Sequence, residues 1–154
     1  MPKNKNTKWQ WFSVKLIFES IITGEPELDT IDRNYTNNYK TYEESIILVK
    51  AQSFDHAYKI AEKKASEMEI DYVNPYGEFV NWKFVEAIDC FSISDETLCT
   101  GVEIYSRYIR DAKNIDAEDF IDKYYPDTVE DSSGIFYNAI LLNRKFNKKP
   151  NSKD

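Results

Sequence analysis

The sequence predicts an α+β fold: a four-stranded antiparallel sheet in β-β-α-β-β order, with one covering helix and a C-terminal helical extension. Two observations support this prediction. Four segments show the two-residue alternation or the dense β-branched and aromatic content of strands, and a segment of helical period separates the second from the third. An acidic tail, also with helical periodicity, follows the fourth. A sheet covered on one side by a helix buries the apolar faces that this order provides.

The length and composition fit one globular domain with a short appendage. The chain has 154 residues, of which 42% are hydrophobic and 15% aromatic, so it can bury a core without a metal or a disulfide. Two cysteines, Cys90 and Cys99, are too few for a secreted disulfide scaffold, and no apolar run is long enough to cross a bilayer. We therefore expect a cytoplasmic protein that does not act at a membrane.

Charged residues are distributed unevenly along the chain. Residues 1–15 carry four lysines and no acid, residues 144–154 carry five bases and one acid, and the part between them holds 11 basic and 26 acidic residues. The formal charge of this middle part is therefore −15, against −7 for the whole chain. Such a surface repels nucleic acid and attracts basic proteins. The alternative interpretation is that the charges only maintain solubility.

The first predicted strand spans Trp9–Thr23 and ends at Gly24. Its alternate apolar residues should face the core; they are Phe12, Val14, Leu16 and Phe18. The segment Glu27–Tyr42 that follows has no regular period and mixes asparagines with tyrosines. A connection of this length is either a recognition loop, for which exposed tyrosine and asparagine are well suited, or an inert insertion.

The second predicted strand, Glu43–Gln52, has an uninterrupted apolar centre, which predicts burial on both faces. A helix follows directly, with Ser53 as its N-cap and Asp55 in the first turn, where the helix dipole favours an acid. The apolar stripe of this helix is rich in alanine, which would let it lie close to a sheet. The stripe comprises Phe54, Ala57, Ala61, Ala65 and Met68.

The turn Asn74–Gly77 introduces the longest strand-like run of the chain, which begins at Phe79. β-Branched and aromatic residues dominate this run, as they do in strands. Alternation assigns three large residues to the core face: Val80, Trp82 and Phe84. The fourth predicted strand is Gly101–Arg110, in which apolar and polar residues again alternate.

The tail changes character after Arg110. Residues 111–131 carry eight acids and two bases, and Asp116–Tyr125 has the pattern of a short helix. Phe120, Ile121 and Tyr124 are expected to point inward. Ser133–Asn143 is predicted to form a second helix.

These patterns divide the chain into a core and its additions. Residues 9–110 are the predicted α+β core domain, and residues 111–143 are an acidic helical extension that is packed on the core or appended to it. The ends, residues 1–8 and 144–154, are basic and are expected to be flexible.

The sequence offers no catalytic constellation. Its one histidine, His56, lies in the first turn of the predicted helix and is expected to have a surface role. Cys90 is expected to be a buried packing thiol. The sequence contains no glycine-rich phosphate loop, no nucleophile elbow and no clustered set of metal ligands. We therefore predict a non-enzymatic protein without a cofactor or a bound metal.

A group of polar residues could share the sheet face opposite the helix and form an alternative ligand site. The group comprises Lys15, Glu19, Lys83, Glu103, Tyr105 and Arg107. Complementary charges on facing strands more often stabilise a sheet, by about 0.2–1 kcal/mol per pair. The same face carries apolar residues that need a cover, which the tail helices, a second subunit or a partner would supply.

Several motifs together resemble a bacterial family of domains of unknown function. They are W-F-S-V-K-L at 11–16, E-E-S-I-I-L-V-K-A at 43–51, N-P-Y-G-E at 74–78 with Trp82 and Phe84, and E-I-Y-S-R-Y-I at 103–109. The resemblance implies a compact domain from Trp9 to Ile109 and supplies no catalytic residues. It also implies that residues 27–42 and the tail after Arg110 are additions, where a function particular to this chain would lie.

The favoured prediction is an immunity-type inhibitor that neutralises a toxin or another basic effector through an acidic surface. Charges would steer the encounter and tyrosines would supply anchors. The candidate partner-binding residues are Asp29, Asp32, Tyr35, Tyr39, Asp116, Glu118, Asp119, Asp122 and Asp127. The expected partner is a protein and not a nucleic acid, and a homo-oligomer is compatible with the sequence. The alternative is a small-molecule sensor or an enzyme that uses the polar sheet face.

Overall fold

The computed structural model describes residues 8–94, 97–125 and 148. The elements within them are strands β1 (Gln10–Thr23), β2 (Tyr42–Ala51), β3 (Ile70–Val73) and β4 (Phe79–Ser92), helices α1 (Phe54–Met68) and α2 (Ala117–Tyr124), and a 3₁₀ turn at Leu28–Thr30. The strands form a sheet in the order β2-β1-β4-β3. The predicted α+β class and the β-β-α-β-β order are confirmed. The predicted helix Ser133–Asn143 lies outside the described residues.

β1 lies inside the sheet and is buried on both faces. The side chains that alternation assigns to the core are buried as predicted, and they are Phe12, Val14, Leu16 and Phe18. Ser13 and Lys15, which point to the opposite face, are buried as well. This second face therefore has a cover of its own, which the period of the sequence does not reveal.

α1 covers the face of the sheet to which Phe12 belongs. Its N-cap is Ser53, as predicted, and the hydroxyl oxygen accepts the backbone N–H of His56 at 3.1 Å. The ring of Phe12 meets that of Phe54 edge-on at 5.2 Å, at the start of the helix. α1 packs on β1 and β2 through fully buried small residues, which are Ala57, Ala61 and Ala65.

The prediction that β2 is buried on both faces is wrong. β2 lies at the edge of the sheet, and among the described residues only its face towards α1 is covered. Val49 on that face is buried, whereas Ile46 and Leu48 on the other face are 41% and 42% exposed. A run of β-branched residues favours a strand in either setting, so it does not distinguish an edge from the centre of a sheet.

The prediction of a strand at Gly101–Arg110 is also wrong, although the number and order of strands are right. β3 occupies the sheet edge beside β4. A tight turn makes this pairing favourable, because the side-chain oxygen of Asn74 accepts the N–H groups of Tyr76 and Glu78 at 3.1 and 3.0 Å. Gly77 completes the turn with a φ of +82°, which a residue with a Cβ rarely adopts.

Residues 97–107 form an irregular segment, which we call the strap. The hydroxyl of Ser13 donates a hydrogen bond to the carbonyl of Ile104. Because Ser13 points away from α1, the strap crosses the sheet face opposite that helix. It is the cover of the second face of β1.

The chain divides into two compact units that are not continuous in sequence. Among the described residues, the sheet unit comprises 8–23, 36–71, 80–94 and 97–107. The loop unit comprises 24–35, 72–79, 108–125 and 148. The loop unit thus contains the segment after β1, the N-P-Y-G-E turn and α2.

Candidate functional site

α2 forms where the tail offers a cap followed by an acidic turn. Asp116 is its N-cap, and a side-chain oxygen accepts the backbone N–H of Asp119 at 2.8 Å. Glu118 and Asp119 lie in the first turn, where the partial positive charge of the helix terminus favours them. Tyr125 ends the helix, and its N–H donates to the carbonyl of Ile121 at 2.8 Å. The helix predicted for this stretch is confirmed.

One strip along α2 combines acidic and apolar side chains. Glu118, Ile121, Asp122 and Tyr125 follow the spacing i, i+3, i+4 and i+7, so they are neighbours on one surface of the helix. Glu118 and Asp122 are exposed, and Ile121 and Tyr125 are 48% and 40% exposed. We call these four residues the α2 face. It offers a surface where charge surrounds apolar contact area.

The inward orientation predicted for Ile121 is wrong. Phe120 and Tyr124 are half-buried, and their rings lie 4.7 Å apart. Ile121 follows Phe120 by one position, which is about 100° around a helix of 3.6 residues per turn. The eight-residue helix half-buries the side that carries the two rings and leaves Ile121 outside it.

Asp111 fastens α2 to the segment before it. The carboxylate accepts hydrogen bonds from the ammonium of Lys123 at 2.8 Å, the hydroxyl of Tyr124 at 2.7 Å and the backbone N–H of Ala112 at 2.6 Å. These bonds lower the pKa of Asp111 to about 2, and the bond from Lys123 contributes most. The hydrogen bond to Asp111 in turn raises the pKa of Lys123 and that of Tyr124. We call these three hydrogen bonds the Asp111 clamp; they fix the orientation of α2 within the loop unit.

The loop after β1 uses two of its candidate residues in internal contacts. Asp32 accepts a hydrogen bond from the hydroxyl of Tyr76 at 2.9 Å. The hydroxyl of Tyr35 donates to Glu78 at 3.0 Å, and its ring meets that of Tyr76 edge-on at 4.9 Å. These contacts tie the loop to the N-P-Y-G-E turn. Asp29 is exposed.

Glu78 is a buried carboxylate at the centre of this network. It is 2% exposed and accepts hydrogen bonds from Tyr35 and from the amide of Asn74, the latter at 3.1 Å. Burial, and after it the hydrogen bond to Glu78, raises the pKa of Tyr35. A Cβ at Gly77 would come within 2.8 Å of the Glu27 side chain, so loop and turn are closely packed. Donors on both sides reduce the cost of burying the charge.

The remaining two partner-binding candidates, Tyr39 and Asp127, are not among the described residues of the loop unit. Tyr39 is 82% exposed and belongs to the sheet unit. Asp127 lies outside the described residues. Tyr35 contributes to the loop network through its hydroxyl, so Tyr39 is the loop tyrosine that offers a largely exposed ring.

The polar sheet face brings together two of its six candidates, Lys15 and Tyr105. The ammonium of Lys15 lies 4.2 Å from the centre of the Tyr105 ring and 3.5 Å from an oxygen of Glu44. The hydroxyl of Tyr105 donates to Asp89 at 2.8 Å. Burial acts to lower the pKa of Lys15, but its contacts with Tyr105 and Glu44 outweigh this and raise it. Lys15 is 7% exposed, so the strap fills the face at this point.

The other four candidates of the polar face lie in separate surroundings. Glu19 forms an ion pair with Lys40 at 2.7 Å. Lys83 forms one with the C-cap residue of α1 at 3.4 Å. Glu103 and Arg107 are exposed on the strap. The six residues therefore do not converge on one ligand site.

The contacts of His56 and the surroundings of Cys90 are those of residues that stabilise the fold. His56 is half-buried; its Nδ1 accepts the N–H of Gln52 at 3.1 Å, and its ring meets Trp9 edge-on at 5.3 Å. Burial, and then the charge of Asp89, raises the pKa of Cys90 to about 11, which fits a packing thiol. Within the described ranges, no group of three or more His, Cys, Asp or Glu is arranged to hold a metal.

Sequence reasoning misses Glu78, Asp89 and Glu44. The one local signal for Glu78 is its spacing from Asn74 around Gly77, which is typical of a turn closed by an asparagine side chain. Asp89 on β4 meets Tyr105 because the strap crosses the sheet face, and Glu44 meets Lys15 because β2 pairs with β1. Periodicity along the chain carries no information on such contacts.

Comparison with known proteins assigns a family to most of the sheet unit. Residues 11–106 match a family model described as a domain of unknown function, DUF4288. No curated protein and no solved structure matches the chain significantly. The match ends within the strap, so α2 lies beyond it. In the part of the chain that the structure describes, no helix is long and apolar enough to cross a membrane.

Proposed function

The chain belongs to the DUF4288 family of domains of unknown function, and we propose that it is an immunity-type inhibitor that binds a basic toxin or another basic effector protein. The α2 face carries this proposal, because its exposed acids lie beside the exposed Ile121 and Tyr125. The proposed role is non-enzymatic, requires no cofactor and is exercised in the cytoplasm.

Charge and apolar area have separate tasks in this proposal. An acidic surface attracts a basic partner over a distance of about one Debye length and raises the association rate. The middle of the chain, with its charge of −15, extends this field. Apolar anchors such as Ile121 and Tyr125 add contact energy once the partner is in place and slow its dissociation.

The side chains at the polar sheet face favour the proposed inhibitor over a small-molecule sensor or an enzyme. A sensor or an enzyme at this face would need space around Lys15 for its ligand. Tyr105 covers Lys15, and Ser13 is bonded to the strap, so a ligand would first have to displace the strap. This alternative therefore has less support than the α2 face.

The proposal is tested by association kinetics with a partner captured from the native host. A triple variant, Glu118→Gln with Asp119→Asn and Asp122→Asn, removes three charges and leaves the N-cap Asp116 in place. We expect association at low salt to slow by about tenfold or more, and the difference from the unmodified chain to shrink as salt is added. Ile121→Ser should raise the dissociation rate and leave the association rate unchanged.

A matched variant separates a local surface from total charge. Glu43, Glu62 and Glu86 are exposed acids of the sheet unit, and their replacement by glutamine removes the same three charges. We expect this control to associate nearly as fast as the unmodified chain. If both triple variants associate equally slowly, net charge controls the association rate, and the α2 face is not the binding surface. Insensitivity of both would make the acids a solubility feature.

The alternative function makes a different prediction. If the polar sheet face binds a small molecule, Lys15→Met should abolish biological activity in a chain that still folds, and the triple variant at Glu118, Asp119 and Asp122 should keep it. The proposed inhibitor requires the opposite pattern.

A further inference from the structure

The centre of the outer edge of β2 lacks the features that usually protect a sheet edge. β2 has ten residues, and within the described ranges no strand pairs with its outer side. Its centre, Ser45–Val49, contains no charge, proline or glycine. Proteins commonly protect such edges with a charge, a proline, a bulge or a short strand. The opposite edge of the same sheet is protected by its shortness, because β3 has four residues.

On the exposed face of this edge, an acid, two apolar residues and a base follow one another. Glu44, Ile46, Leu48 and Lys50 alternate along β2 and lie on the face opposite α1. All four are exposed, and the two apolar residues lie between an acid and a base. Read in the reverse direction, the strip is base, apolar, apolar, acid. It is therefore complementary to itself in an antiparallel arrangement.

We propose that the outer edge of β2 pairs with the same edge of a second copy of this chain. The two-fold axis passes beside Ile47 and is perpendicular to the sheet, so the two sheets join into one continuous antiparallel sheet. Glu44 then lies opposite Lys50 of the second copy, and Ile46 lies opposite Leu48 of the second copy. Symmetry repeats both pairs. Directly opposite residues share a face, so each pair is in contact.

The register follows from the positions of the charges. An axis at Ile46 would set Glu44 opposite Leu48, and an axis at Leu48 would set Ile46 opposite Lys50. Either shift places a charge against an apolar side chain and loses both favourable pairs. An axis at Ser45 would set Lys50 opposite Lys40, and like charges directly opposite one another are destabilising. The axis at Ile47 is the register that matches every exposed residue of the strip.

Existing contacts leave these side chains able to reach a second copy. Glu44 is 3.5 Å from Lys15, yet its side chain remains 58% exposed. Lys50 lies over the ring of Trp11 at 5.6 Å, and it too is exposed. All of these residues belong to the sheet unit, so the proposed dimer does not depend on the function proposed for the α2 face.

The first test measures mass and charge pairing by sedimentation over a series of concentrations. We expect the unmodified chain to approach twice its mass of 18.1 kDa. Glu44→Lys or Lys50→Glu alone sets like charges opposite one another in both symmetric pairs, and should weaken the dimer about tenfold. The combination of both changes restores opposite charges and should recover dimerisation. A monomer at every concentration, or a double variant weaker than either single one, overturns the proposal.

The second test maps the register with cysteines, in a chain where the exposed Cys99 is replaced by serine. Opposite Cα atoms in an antiparallel pair are about 4.5–5.5 Å apart, within the range that a disulfide bridges. Ile47→Cys should therefore oxidise to a covalent dimer. Ser45→Cys is the control, because its copy is displaced by four residues, or about 14 Å along the strand. Equal cross-linking of the two variants, or none in either, contradicts the register.

Discussion

A tyrosine from a distant segment contacts a buried charge in each unit. Glu78 in the loop unit receives the hydroxyl of Tyr35, and Lys15 in the sheet unit lies against the ring of Tyr105. In each case the tyrosine comes from a distant segment and fastens that segment to the carrier of the charge. A buried charge without such a partner is strongly destabilising, so these contacts order the loop and the strap.

Tyr35→Phe should destabilise the protein by about 1–3 kcal/mol, because it leaves the buried Glu78 short of one donor. Burial raises the pKa of Tyr35 above its usual 10.0, so this contribution is present below pH 10 and is lost as the pH rises through the folded-state value. Urea unfolding at neutral pH measures the change. Tyr39→Phe, at an exposed ring, is the matched control and should be nearly neutral. Equal effects of the two replacements would contradict the role assigned to Glu78.

At the scale of elements, strand propensity alone does not decide which segment joins the sheet. The strap contains part of an alternating run that the sequence predicts to be a strand, yet it crosses the sheet face and has no place in the sheet order. β3 has four residues and pairs because the turn at Asn74–Glu78 returns the chain beside β4. Short-range turn geometry therefore prevails over a longer but more distant candidate strand.

The clamp at Asp111 should make α2 sensitive to acid. Its pKa is lowered to about 2 from the usual 3.8, so its contribution is complete above pH 3.8 and is lost as the pH falls towards 2. We expect the amide protons of residues 117–124 to exchange faster across this interval. Asp111→Asn should show fast exchange already at neutral pH, and the part of the acid dependence due to the clamp should disappear. The same pH profile in both chains would show that other acids control α2.

At the scale of the whole molecule, sequence periodicity predicts the elements that carry a regular apolar stripe. β1, α1 and α2 follow from the alternation of Phe12 to Phe18, from the alanine stripe and from the helical pattern of Asp116–Tyr125. The strap, the edge position of β2 and the buried Lys15 depend on how distant segments cross, which a one-dimensional pattern does not encode. For the candidate site, the sequence predicts the acids of α2, but not the exposure of Ile121 or the use of Tyr35 inside the loop unit.

The division between the sheet unit and the loop unit leads to a prediction about the tail. Residues 24–35 and 72–79 cluster with residues 108–125, whereas the family match ends at residue 106. Deleting residues 111–154 removes α2 and the Asp111 clamp, so the loop and the turn lose part of the unit in which they pack. We expect faster hydrogen exchange in 24–35 and 72–79, with protection retained in β1, β2 and α1. These sheet-unit segments are the internal control.

Mass spectrometry of exchanged peptides distinguishes the outcomes of this deletion. Unchanged exchange in both units would make residues 111–154 an independent appendage, and the loop unit would then be held by the network around Glu78 alone. Loss of protection throughout β1 and β2 would show that the core extends past residue 110, against the predicted boundary. Selective loss in 24–35 and 72–79 is the result expected if the tail that carries the α2 face also supports the loop beside it, because weakly protected segments open independently of a stable sheet.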